Sequence, residues 1–151
     1  MFKPTPAVVR ALRDFAAGLG DDGDRIASAL DAELASRRPD LTPVLIDAAR
    51  AGAGVALPGT LAAAVVRSGC ALLGERHPGA TIEVRVPPWA AVQIGFESGS
   101  RHTRGTPPNV VEMDAATFVA LATGLLAWAD AADRLRVSGA HASEAARAFP
   151  L

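Results

Sequence analysis

The stretch Thr81–Phe96, TIEVRVPPWAAVQIGF, holds two strand signals around one break. Ile82, Val84 and Val86 alternate with Thr81, Glu83 and Arg85, the pattern of an antiparallel strand with one buried face and one wet face. Pro87 and Pro88 end that run, because neither can donate a ladder hydrogen bond. The alternation then resumes, with Ala90, Val92, Ile94 and Phe96 inward. Upstream of the HPG turn at 77–79 the apolar residues recur at helical spacing instead. The period changes at that turn.

Working toward the N-terminus, Val8, Leu12, Phe15 and Leu19 form one helical stripe closed by Gly20. GDDGD is a polar break in which Asp24 is the expected N-cap, and Ile26, Leu30 and Leu34 continue a second helix that ends before Pro39. Thr42 is the expected cap of a third helix, with Pro43 at its first position and Leu41 stapled onto Ile46. Pro58-Gly59-Thr60 opens a fourth, carrying Leu61, Val65, Ser68 and Leu72 on one side. Working the other way, the loop ESGSRHTRGTPP leads to a short strand, NVVEM. Asp114 then caps a helix on which Phe118, Leu121, Leu125 and Trp128 share a face, despite Gly124 in its middle. RLRVSG reads as a last strand and SEAARAFPL as a closing helix. The expected class is α+β: an antiparallel or mixed sheet with helices on one face, preceded by helices. Residues 1–79 read as a helical extension packed on the sheet and 80–151 as the core of the same domain.

Composition narrows the function. The chain has 151 residues, 50% of them hydrophobic, with 21% charged residues and a net charge of −1, so no charged field selects nucleic acid or an anionic membrane. Mean hydropathy is +0.22, but much of it is alanine, which buries little area. Tyrosine is absent and Trp89 and Trp128 are the only tryptophans, leaving few platforms for stacked bases. Cys70 is alone, which excludes an intrachain disulfide and a multi-cysteine metal cluster. MFKPTPAVVR lacks a signal-peptide core, and the longest uncharged run, Ala51–Val66, is broken by Pro58-Gly59 and is shorter than the ~20 apolar residues of a membrane span. The expectation is a soluble, cytoplasmic protein.

The C-terminal part, VEMDAATFVALATGLLAWADAADRLRVSGAHASEAARAFPL, resembles the second half of the sterol carrier protein type 2 fold: a strand, an acid-capped helix closing at a glycine, an amphipathic segment, a strand ending in glycine and a short final helix. EVRVPPWAAVQ and HTRGTPPNVVE together resemble a bacterial group described as sterol-carrier-like. The resemblance covers about residues 80–151. It implies a sheet of about five strands and, between sheet and helices, a hydrophobic tunnel for acyl chains or sterols. It implies carriage without bond-making. No cofactor is expected. Relatives also trail the mycothiol-dependent isomerases, whose chemistry belongs to a separate metal-binding bundle.

Within that frame Arg101, His102 and Arg104 have two readings. They meet the acid head of an amphipathic ligand at the tunnel mouth, or they are a solvated loop paired with Glu97 or Glu112. Pro107, Pro108 and Asn109 form a stiff corner in which Asn109 bonds its own backbone. Trp89, Phe96, Phe118, Leu121, Leu125 and Trp128 either line a tunnel or are plain core. His77, His102 and His141 lack metal-ligand spacing, Cys70 reads as a buried small hydrophobe, and neither GxSxG nor a phosphate-binding loop occurs. The expectation is therefore a non-enzymatic binder of a hydrophobic or amphipathic small molecule or lipid, without metal, nucleic acid or integral membrane association. The alternatives are a protein-interaction module with a filled core, with a homodimer as one form of it, and an accessory domain related to those isomerases.

Overall fold

The structure, a computed structural model, describes residues 1–96 and 109–151. The alternating segments form strands β1 (Ile82–Val86), β2 (Ala90–Ile94), β3 (Val110–Glu112) and β4 (Arg136–Ser138), arranged β2-β1-β3-β4. Pro87 and Pro88 make the tip of a tight hairpin, where the Trp89 N–H donates to Val86 O at 2.9 Å. With β2 on one edge of β1, β3 takes the other edge and runs parallel to it. The sheet is therefore mixed, and among the described residues it has four strands rather than about five.

Helices α1 (Pro6–Ala16), α2 (Asp21–Ala35), α3 (Thr42–Ala51) and α4 (Gly59–Arg76) precede the sheet, and α5 (Ala115–Thr123) lies between β3 and β4. Four local expectations change. Helix α2 begins at Asp21, not after Asp24, because Gly20 takes φ 58° and lets the chain turn sooner. Asp21, Asp22 and Asp24 then all sit in the first turn, where negative charge suits the helix dipole. Thr42 is the first helical residue of α3, and the Asp40 carboxylate accepts from its N–H at 3.0 Å in the capping role. Helix α5 stops at Gly124, whose φ of 77° is a left-handed cap, so Leu125 and Trp128 leave the face shared by Phe118 and Leu121. The closing segment Ala142–Ala148 is a 3₁₀ helix, because the buried alanines 142, 145 and 148 recur every three residues. Trp128–Arg134 is also 3₁₀.

Helix α4 holds the two halves together. Its Val66, Cys70 and Leu73 join Ile82, Val84, Val86, Ile94 and Phe118 over the covered face of the sheet. Its Leu61, Ala64 and Val65 join Leu12, Ile26, Leu30 and Leu45 in a second cluster made by α1–α3. Small residues let α4 settle onto its neighbours: a Cβ on Gly69 would lie 2.8 Å from the Phe118 ring, and one on Gly74 would lie 3.0 Å from Val92. The other face of the sheet is wet. There Arg85 pairs with Glu83 at 2.7 Å and Arg136 with Glu112 at 3.6 Å.

Candidate functional site

The sequence-predicted residues divide among four places. Phe118 and Leu121 lie between α5 and the sheet and are sealed, at 0% and 1% exposure. Trp128 is half-buried at the margin of that layer, its ring 5.7 Å from Phe149, which in turn meets Phe118 edge-on at 5.8 Å. Trp89 and Phe96 are half-buried at opposite ends of β2. The Arg67 guanidinium lies 5.9 Å from the Trp89 ring, and Phe96 sits between His77 at 5.1 Å and the Arg147 guanidinium at 4.5 Å. Leu125 is apart from all of these and 49% exposed. Arg101, His102 and Arg104 lie outside the described residues, as do Pro107 and Pro108. Sequence reasoning missed Arg67 and Arg147 as ring partners, since both come from helices distant in the chain.

The arrangement gives the margin of the sheet–helix interior an amphipathic rim. A guanidinium over a ring is worth about 0.5–1 kcal/mol at exposed sites and more once desolvated. Among the described residues Arg67 gives one N–H to the Trp89 carbonyl at 3.5 Å, and a guanidinium has five N–H donors in all. Arg147 also approaches Glu144 at 4.0 Å, and Glu144 accepts or shares a hydrogen bond with His141 Nδ1 at 2.8 Å.

Asn109 is buried, and its role differs from the one expected. Rather than closing on its own backbone, its side-chain N–H donates to Thr81 O at 2.9 Å and its side-chain oxygen accepts from the His141 N–H at 2.9 Å. One amide thus ties the approach to β1, the approach to β3 and the final 3₁₀ turn together. The partners are 28 and 32 residues away, so no local pattern could reveal them.

Among the described residues the one cysteine, Cys70, is buried. Burial pushes the Cys70 thiol up to about 12, which keeps it protonated at neutral pH. Among the described residues no three His, Cys, Asp or Glu side chains gather as metal ligands. Nor is any described helix long and apolar enough to cross a membrane.

A concavity of about 460 Å³ lies between the end of α3, the loop that follows it, the first turns of α4 and the outer face of α5. Ala49, Gly54, Val55, Leu57, Val119 and Leu125 are among its walls.

A family model described as bacterial SCP ortholog matches residues 59–151. The chain belongs to this sterol-carrier-protein-like family. The match starts at the first residue of α4, so it takes in that helix as well as the stretch from 80 onward. Helices α1–α3 precede it. No curated protein matches the chain.

Proposed function

We propose that the protein is a non-catalytic binder of a hydrophobic or amphipathic small molecule, such as a fatty acid, an acyl chain or a sterol-like compound, working in the cytoplasm without a cofactor. Family membership supports carriage in general. The observation that carries the reading is the rim: two half-buried rings, Trp89 and Phe96, each beneath a guanidinium at the edge of the apolar layer. An apolar tail would enter between sheet and helices, over Phe118 and Leu121, with Trp128 at the margin. An acid head would stay at the surface with Arg67 or Arg147, and with Arg101, His102 and Arg104 on the following segment.

Native mass spectrometry of freshly purified protein, followed by denaturing extraction, tests this. A stoichiometric lipid or acid that is lost in a folded Trp89→Glu or Trp128→Glu variant is the expected result. A bare mass, with no uptake from fatty acids, acyl-CoAs or sterols, overturns it. A second reading is favoured by the sealing of Phe118 and Leu121: an interaction module in which the layer is solid and helices α1–α3 dock a partner or a second copy.

A further inference from the structure

The two longest uncharged runs of the sequence, residues 51–66 and 115–129, are far apart in the chain. Folding sets them face to face across the 460 Å³ concavity. This is unusual on both sides. The connection from Ala51 to Pro58 has no polar side chain, although surface loops ordinarily carry them. Helix α5 has no charged residue, so its outward face is as apolar as the face on the sheet, a composition expected of a helix covered all round. Its inward face is covered by the core; its outward residues Ala116, Val119 and Ala120 are left open to the groove.

We propose that this groove is a separate binding site for a single linear hydrocarbon chain. Every lining side chain is alanine, glycine, valine or leucine. Such side chains offer no hydrogen bond and no charge to a head group, and no ring to stack on a fused or aromatic ligand; only backbone groups of the loop add polar surface. What the groove can recognise is methylene. Its volume lies within the range of small-molecule sites, about 300–1,000 Å³. The large apolar side chains exposed there are Val55 and Leu125, one on each wall, so the exposed apolar surface is confined to the groove itself. The site does not rest on the rim reading, because it uses another face of α5. It is also not a property of the family-matched region alone: Ala49 through Leu57, which supply much of the wall, precede residue 59.

Solution NMR with octanoate, decanoate and dodecanoate, and the matching alcohols, each below its aggregation concentration, provides the test. Saturable shifts should concentrate at Gly52, Gly54, Ala116 and Ala120, with affinity rising about fourfold per added methylene and the acid and alcohol of one length binding alike. Ala116→Glu, at an exposed helical position that tolerates glutamate, should weaken binding at least about tenfold by placing a charge in the groove. Ala120→Phe should do the same by bulk alone. Trp89→Glu should leave the groove shifts in place, which separates this site from the rim. Shifts confined to Val84 and Phe118, an acid bound at least about tenfold tighter than its alcohol, or undiminished binding by folded Ala116→Glu would each overturn the proposal.

Discussion

Replacing Asn109 by alanine removes two hydrogen bonds at once and shows whether one buried amide holds the end of the sheet together. Asn109 is 4% exposed, and it links Thr81 O and the His141 N–H at 2.9 Å each. A neutral hydrogen bond contributes about 1 kcal/mol net, but a buried partner left unpaired costs about 1–3 kcal/mol. Thr81 is buried, so its carbonyl bears that cost; the His141 N–H is nearer the surface and recovers water. The sum is a loss of about 2–4 kcal/mol. Urea unfolding followed by tryptophan fluorescence measures it, since Trp89 and Trp128 both pack against the sheet cluster. Asn109→Asp sharpens the argument. It keeps the acceptor for His141 but turns a carboxylate oxygen toward Thr81 O, so its deficit relative to wild type should shrink at acid pH, where the carboxyl is protonated and can donate. A loss below about 1 kcal/mol for Asn109→Ala, or a pH-independent deficit for Asn109→Asp, refutes the reasoning.

Three further outcomes are expected. Gly23→Ala should destabilise by about 1–3 kcal/mol in thermal unfolding, although alanine is the better helix former, because the new Cβ would overlap the Ala16 carbonyl where α1 meets α2. Cys70 should resist a disulfide reagent in the native protein at pH 8. Because burial raises its folded pKa from 9.0 to about 12, its contribution to stability is intact below pH 9.0 and lost as pH rises from there, a slope that Cys70→Ala should abolish. At Asp40, burial acts to raise the pKa, but the Phe2 and Thr42 N–H groups outweigh it and hold the carboxyl below its ordinary 3.8. Its contribution is therefore complete above that value and lost as pH falls through the lower folded one; Asp40→Ala should cost about 1 kcal/mol near neutrality in urea titrations and flatten that acid limb.

Residues 81–96 determined their own two strands and the break between them, because alternation of Ile82, Val84 and Val86 with polar residues suits a half-covered sheet and two prolines interrupt the ladder; that the two strands pair as a hairpin was seen only in the fold. Asp114 was legible as a cap for the same local reason: its carboxylate accepts from the Thr117 N–H at 2.7 Å, three residues away. Helical spacing likewise fixed the existence of α1–α4, and the order of residues from Val111 onward pointed to the family. The helix boundaries at Asp21 and Gly124 were set by positive-φ glycines whose conformation a sequence does not display. What lies beside what was decided by tertiary structure alone. The parallel pairing of β1 with β3, the amide of Asn109 spanning three segments, the cations over Trp89 and Phe96, and the meeting of two uncharged runs all join residues far apart in the chain. A local pattern records which face of a segment prefers to be dry; it does not record which other segment will cover that face, because that choice is made by packing volume and chain connectivity together.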